Sequence, residues 1–439
     1  MTMVFDKLFG RLKKKKVDPG IPFGRYSDNN KSVEKVNQWT EADNLFKQQQ
    51  FHESLDAFFE YLRDDEHNNV VFERNEKEGR FHFYQGSKIV RGEFDENLLQ
   101  AEVTLARMAE PSVPVMRRLL EMNFHLYYSR YALTKDRLCM RFDSDIRTAN
   151  PNKLYYGLKE LATKADKQDD LLVQEFDALQ PLDTEHIEQI PEKEKEVKYE
   201  FLQQWLGKTL DYISTLDNEK FSGGIAYLLI TLVFRIDFLI VPEGKLMNEL
   251  EKVVENYYRK DEKSTIERNH QMIDGLQKIR EKSKEQVFPF LFRSKHSFSI
   301  VSPQHHKAVS EAINNALQNM YWYRDNNYPA IANEVIEYGL SYSQFSYSLP
   351  RPLTELFLLF MQVNHSDFFA AFGHKPVYYD PLANKFENEE IIDEINKIIR
   401  EWKKKYPKIQ FNTRKIQFNN LIDFNHSFST EIAQLNFDS

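Results

Sequence analysis

The feature that most constrains this chain is the apolar run from Ile225 to Val241, which carries two charges, Arg235 and Asp237, and is stopped by Pro242. A membrane span wants about 20 residues with few charges, so the run reads as a buried helix. A helix that is apolar on all sides must be surrounded by other elements. The chain therefore needs a helical body large enough to enclose it. Within the run, Arg235 and Asp237 read as the wet face of a mostly buried helix or as a structural ion pair, with a buried functional pair as the alternative. Gly223–Gly224 ahead of it reads as a two-glycine helix start, because no strand precedes it and no Lys-Ser/Thr follows, as a phosphate loop would require.

Material for such a body is present: of 439 residues, 41% are hydrophobic and 14% aromatic, which argues against extensive disorder. The rest of the C-terminal half is also written in helical periods. Segments near 198–217, 245–259 and 262–285, a restart at Ser302-Pro303, and another at Pro329 lead to Leu353, Leu356, Phe357, Phe360 and Met361 at i, i+3, i+4, i+7, i+8. Ile391, Ile392, Ile395, Ile398 and Ile399 mark a final long helix. We expect an all-α domain over 198–409 and a polar tail over 410–439 with a weak strand at Ile416–Phe418.

The N-terminal half reads differently. A helical segment, Ser32 to Leu62, has a turn signal at Gln48–Gln50 and resembles one helix pair of a tetratricopeptide repeat, without a second copy. Period-two alternation follows: Phe81 and Phe83 against Arg80, His82 and Tyr84, then Leu99, Ala101, Val103 and Leu105 against Gln100, Glu102 and Thr104. Ser112-Val-Pro starts a short helix with Val115, Leu119 and Leu120 inward. Leu126–Leu133 and Leu138–Phe142 read as strands, and Asn150-Pro151 caps a helix carrying Leu154, Leu158, Leu161 and Ala165. The expectation is an α+β domain over 31–178, preceded by a tail and linker over 1–30 and followed by a linker over 179–197.

The stretches Val113-Pro-Val-Met-Arg-Arg-Leu-Leu-Glu-Met-Asn123, Tyr127-Tyr-Ser-Arg-Tyr-Ala-Leu133, Leu138-Cys-Met-Arg-Phe142 and Asn150-Pro-Asn-Lys-Leu154 resemble the type III secretion chaperone-like fold of the bacterial YbjN-type family. The resemblance covers about a third of the chain. It implies a small α+β module, often dimeric, that binds other polypeptides, with no cofactor and no catalytic residues to carry over. This chain departs from the small single-domain secretion chaperones by its long C-terminal extension.

Independently of that resemblance, a twisted antiparallel sheet backed by helices leaves a face or an edge on which a partner strand can lie. Phe81, Phe83, Tyr127, Tyr128 and Tyr131 are the candidate partner-contacting residues, although alternation must send part of such a set into the core. Tyr338, Tyr342 and Phe345 form an aromatic stripe with interleaved serines, read as helix packing or as the wall of a cleft. At the extreme N-terminus, Phe5, Leu8, Phe9 and Leu12 recur at helical spacing among Lys7, Arg11 and Lys13–Lys16, a basic amphipathic pattern suited to an anionic membrane surface or a partner.

Catalytic constellations are not legible. His305–His306 are adjacent rather than i, i+4, His365 and Asp367 are two apart, and Cys139 has no activating histidine at a recognisable spacing. A single cysteine excludes an intramolecular disulfide framework and a Cys-built zinc site. A net charge of −8 gives little support to nucleic-acid binding. The sequence thus points to a cytoplasmic, non-enzymatic protein-binding protein without metal or cofactor, acting as a chaperone-like component or an adaptor. The competing readings are an enzyme with its site in the helical half and a membrane-surface protein held by residues 4–16.

Overall fold

The computed structural model describes residues 16–64, 67–182 and 187–438. The N-terminal part runs α1 (Val33–Lys47), α2 (Phe51–Leu62), β1 (Val70–Asn75), β2 (Glu78–Gln85), β3 (Lys88–Phe94), β4 (Leu98–Met108), α3 (Val113–Asn123), β5 (Arg130–Thr134), β6 (Arg137–Asp145), α4 (Pro151–Glu175) and β7 (Leu179–Pro181). The strands form one antiparallel sheet in the order β1-β2-β3-β4-β6-β5, with β7 also on β4. Alternation sends Phe81, Phe83, Val90, Val103, Met140 and Phe142 to one face, where α2 and α4 cover them. α4 lies very close: a Cβ at Gly157 would sit 2.4 Å from the Phe142 ring. The opposite face shows a row in register across five strands, His82, Arg91, Glu102, Arg141 and Arg130. Val71 of β1 extends that row opposite His82, and Thr104 and Cys139, two residues along the same face, are buried.

The C-terminal part runs β8 (Glu188–Gln189), α5 (Glu192–Ser214), α6 (Ser222–Leu239), α7 (Gly244–Tyr258), α8 (Thr265–Arg280), α9 (Lys284–Val287), β9 (Phe292–Arg293), α10 (His306–Asp325), α11 (Pro329–Ser346), α12 (Arg351–Asn364), α13 (Ser366–Ala371), β10 (Tyr379–Asp380), β11 (Lys385–Phe386), α14 (Asn388–Trp402) and α15 (Leu421–Ala433). An α+β part followed by an all-helical part is the architecture. α6 is the central helix, packed by α5, α7, α8 and α11 and buried along nearly its whole length.

Both charges of α6 are buried, and each has a partner. Arg235 reaches Glu337 Oε1 at 2.8 Å and Glu334 at 2.6 Å, and His365 Nε2 lies 2.9 Å from Glu337 Oε2. Asp237 accepts hydrogen bonds from Nε and Nη2 of the Arg25 guanidinium, with Nε 2.9 Å from Oδ1 and 3.1 Å from Oδ2. Neither is a wet-face charge. A buried ion must be paired, because an uncompensated one costs several kcal/mol.

Arg25 lies in the segment expected to be a linker, and here the reading is corrected. Within residues 16–30, Gly24 donates to the Phe238 carbonyl at 2.8 Å and Ser27 donates to the Leu349 carbonyl at 2.6 Å. Asp28 accepts from the Ser299 N–H at 3.1 Å and from the Tyr155 hydroxyl of α4. The arm therefore touches both parts. A second weld comes from residues 294–299: Gln85 Oε1 accepts from the Ser297 and Phe298 N–H groups, and Phe298 enters the N-terminal core between Phe83 and Tyr155, at 5.6 and 5.3 Å between ring centroids. The segment 179–197 is likewise no free linker, since β7 pairs with β4 and Glu194 and Lys198 of α5 are buried.

The polar tail expected over 410–439 is corrected too. Its helix α15 packs on α10, α11 and α12 and buries Phe424 and Phe428, and Ile416–Phe418 form no strand. The tail's serines and asparagines masked an i, i+4 apolar stripe, and Asn425 is used inside, donating to Asn333 Oδ1 at 3.1 Å and Asn364 Oδ1 at 2.8 Å.

Two outcomes follow. Phe298→Ala empties a site in the N-terminal core from the C-terminal side; urea denaturation is expected to show a loss of about 3–5 kcal/mol, the usual range for a buried Phe truncation. Burial alone would raise the Glu337 carboxyl, but Arg235 and then His365 overcome it and hold it at about 2 against an ordinary 4.5. A depressed carboxylate stabilises the fold above its unfolded value and loses that contribution as pH falls. Thermal melts should therefore drop as pH falls from about 4.5 toward about 2, and the Glu337→Gln variant should show a shallower drop.

Candidate interaction surface

α3 is an unusual helix. Its sequence places apolar residues at 113, 115, 116, 119, 120, 122 and, just past its end, 124. That is more than one face of a helix can bury. Val115, Leu119 and Met122 turn inward toward the sheet, while Val113, Met116, Leu120 and Phe124, spaced i, i+3, i+7, i+11, stand outside. Val113 is 80% exposed, Leu120 64%, Phe124 88% and the neighbouring Tyr127 91%. Leu120, read as inward from the sequence, is thus on the outer stripe. Single exposed apolar residues are ordinary, but a row of them on one face marks a contact surface.

The turn after α3 is built to hold these rings out. The Glu160 carboxylate of α4 accepts the N–H groups of Tyr127, Tyr128 and Ser129 at 2.8–2.9 Å, and the Ser129 hydroxyl at 2.8 Å. Burial opposes ionisation of Glu160, yet these hydrogen bonds outweigh it and keep the carboxyl below its ordinary value. With its backbone donors spent inward, the turn leaves the Tyr127 ring in water and the Tyr128 ring partly so.

Beside this turn lies β5, an outer strand of the sheet that, among the described residues, pairs only with β6. Its Tyr131 N–H is taken by Asn123 Oδ1 at 2.9 Å. The backbone groups of alternate residues beyond it, such as Leu133, face the open edge. Residues 113–137 contain Arg117, Arg118, Arg130, Lys135 and Arg137 against Glu121 and Asp136, a local excess of positive charge on a chain whose total is −8. Arg117, 83% exposed, reaches Glu121, Arg118 reaches Glu121 and Glu175, and Arg130 and Arg137 pair across the sheet with Asp143 and Glu102, so each arginine of the rim already has a carboxylate within 4 Å.

The residues singled out from sequence separate accordingly. Tyr127 and Tyr128 belong to this surface. Phe81 and Phe83 do not: both are core residues, Phe81 against Phe59 and Phe83 against Phe298, and Tyr131 is buried beneath α3. Strand alternation put them on the helix-covered face. Tyr338, Tyr342 and Phe345 stand together on α11, but their rings are stacked: Tyr338 and Phe345 on Phe234, and Tyr342 on Tyr338. Tyr258 closes over them, its hydroxyl 3.3 Å from that of Tyr338. This is a packed tyrosine cluster at the α6–α7–α11 contact. Phe5, Leu8, Phe9 and Leu12 lie outside the described residues.

Cys139, placed on the polar phase of its strand, is buried; burial raises its thiol, and Sγ lies 3.4 Å from the Ala132 carbonyl. Gly224 lets α6 approach α10 and α11, since a Cβ there would meet Tyr323 at 3.1 Å and Ile331 at 3.3 Å. His365 serves the Arg235–Glu337 network rather than Asp367. Among the described residues, no group of three or more His, Cys, Asp or Glu side chains is placed to hold a metal ion. The outer stripe of α3 went unrecognised in sequence because only one of its two apolar faces was counted; the surplus of apolar positions was the available signal.

Comparison with known proteins adds no relative: no family model and no curated protein matches the chain.

Replacing Glu160 by Ala leaves the N–H groups of Tyr127, Tyr128 and Ser129 without their acceptor. The expected result is faster hydrogen exchange at residues 127–129, with exchange in β2–β4 unchanged. Acidification of the native protein should produce the same local loosening, because support from a depressed carboxylate disappears as pH falls through its folded value.

Proposed function

We propose that this protein is a non-enzymatic polypeptide-binding protein, a chaperone-like component or adaptor, whose N-terminal part captures an acidic, apolar segment of another protein along the α3–β5 corner. The observation that carries this reading is the outer stripe Val113, Met116, Leu120 and Phe124, continued by Tyr127 and Tyr128 and set beside an open strand edge. An extended segment can add backbone hydrogen bonds to β5 and lay alternate side chains on the stripe. Aromatic anchors such as Phe124 and Tyr127 contribute most to such contacts.

The positive rim selects the partner. A second copy of this chain would bring two basic rims together in a two-fold contact, where the same patch meets itself. A segment carrying Asp or Glu beside its apolar residues meets complementary charge instead. The secretion-chaperone-like resemblance of residues 32–176 supports the same class of activity, since the element order helix, strands, helix, two strands, helix is present. It supplies no partner.

The test is titration of a fluorescent twelve-residue peptide alternating Val or Phe with Glu. Wild type should bind it, with affinity falling as salt rises. Phe124→Asp and Tyr127→Asp should each weaken binding by about 2 kcal/mol, roughly thirtyfold, with melting temperatures within a few degrees of wild type. Equal binding by wild type and both variants, or none by wild type at micromolar concentration, removes the proposal.

A further inference from the structure

The contact between α4 and the start of α7 joins the α+β part to the helical part. Asp166 and Asp170 of α4 and Glu243, the residue before α7, line one small void there together with Ser87 and Asn248. Glu243 is 8% exposed and the two aspartates are half-buried. The void is about 10 Å³, at the threshold for a single water molecule, so it cannot hydrate three charges. Two glycines with left-handed backbone let the aspartates in. A Cβ at Gly86 (φ +56°) would lie 2.0 Å from Asp166 Oδ1, and one at Gly244 (φ +54°) would lie 2.5 Å from Asp170 Oδ2.

The cations packed against this cluster are committed to other carboxylates. Lys88 of β3 reaches Asp169 at 2.9 Å, Lys167 of α4 reaches Glu251 of α7 at 2.9 Å, and Arg25 of the arm holds Asp237 of α6. Lys198 of α5 and Arg293 of β9 both turn to Glu194, at 3.3 and 2.8 Å. His296 supplies no charge: burial, and after it Arg25, push it down to about 4, and its ring nitrogens meet Ser294 and Gln85 at 2.9 and 3.1 Å. The three carboxylates are left with neutral donors. Asp166 accepts from the Ser87 N–H at 2.7 Å, and Glu243 accepts from the Ser294 hydroxyl at 2.9 Å. Asp170 has no hydrogen-bond donor among the described residues and lies against the Gly244 backbone.

We propose that the α4–α7 contact is a proton-operated latch: it is tight while Asp166, Asp170 and Glu243 carry protons, and when they ionise the start of α7 and the Gly86–Ser87 turn come loose from α4. Uncompensated charges held together out of water repel and favour opening. Burial, and after it Asp169, pushes Asp170 up to about 6 against the pull of Lys88. Burial with Glu243 and Asp169 raises Asp166, and burial raises Glu243 although Arg25 and Ser294 oppose it. A carboxyl raised in the closed state adds stability that is complete below its open-state value and is lost as pH rises through the closed-state value. For Asp170 that window runs from the ordinary 3.8 to about 6 and is complete by neutral pH. Glu337 and Glu160 are depressed carboxyls, so their support fails in the opposite direction, on acidification below their ordinary 4.5.

Hydrogen exchange of the full-length chain at about pH 5 and about pH 8, corrected for the intrinsic rate, tests this. With Asp170 alone moving from 3.8 to about 6 on closure, opening is about tenfold more frequent at the higher pH. The amides of Ser87 and of residues 247–251 should therefore exchange about tenfold faster there, while paired amides of β4 and β6 keep one rate. Asp170→Asn should lower that ratio severalfold and melt at or above the wild-type temperature at about pH 8. Glu243→Gln, on the same void, should also lower the ratio. Wild-type melting at about pH 5 shows that the variants are folded, and the wild-type comparison stands without them. Equal wild-type rates at the two pH values overturn the proposal, as do two variants with the wild-type ratio. So does an Asp170→Asn variant that melts below wild type at about pH 8 but not at about pH 5, which would assign an ionised Asp170 to the N-terminus of α7.

Discussion

The structure depends on two charges that are almost fully buried. Arg235 and Asp237 sit on the most apolar helix of the chain, and a helix buried on every side can carry them only if partners come to it. Glu334, Glu337 and His365 come from α11 and the end of α12 and meet Arg235. Arg25 comes from the other direction, from the N-terminal arm, and meets Asp237. Apolar packing around α6 is non-directional, whereas these pairs are satisfied in one arrangement of α6, α11, α12 and the arm. Removing one partner strands a buried ion, so the pairs fix register at a cost that hydrophobic residues would not impose.

From that constraint the joining of the two parts follows. The arm that supplies Arg25 continues to Ser27 and Asp28, which bind Leu349 and Ser299 on one side and Tyr155 on the other. Phe298 then completes the core beneath the sheet from the opposite direction. The helical part is therefore a structural component of the N-terminal fold, and the sheet face under α4 is closed to any other polypeptide. What the α+β part still offers is its charged outer face, the β5 edge and the outer stripe of α3. Folding does not explain that stripe, because α3 is already seated by Val115, Leu119 and Met122.

Much of the architecture was legible in the residues. Period-two alternation located β2 and β4, the Gln48–Gln50 signal marked the turn between α1 and α2, and the serine and asparagine caps placed α3 and α4. The misplaced segments share one cause. Residues 16–30, 179–197 and 410–439 have linker-like composition, yet their order comes from contacts made across hundreds of positions, such as Arg25 with Asp237 and Asn425 with Asn364. Local periodicity carries no record of such contacts. The candidate surface was half legible: Tyr127 and Tyr128 were visible, while Phe81 and Phe83 were drawn inward by the same alternation that identified their strand.

By itself the sequence determined the class of each segment, because hydrophobic period and capping chemistry are properties of neighbours along the chain. It determined that α6 must be enclosed, because its composition leaves no side for water. Only the tertiary structure decided which partner answers each buried charge, which face of α3 remains uncovered, and that arm and tail are built into the body. Those outcomes depend on distances between residues far apart in the chain, and a distance of that kind exists only once the chain has closed on itself.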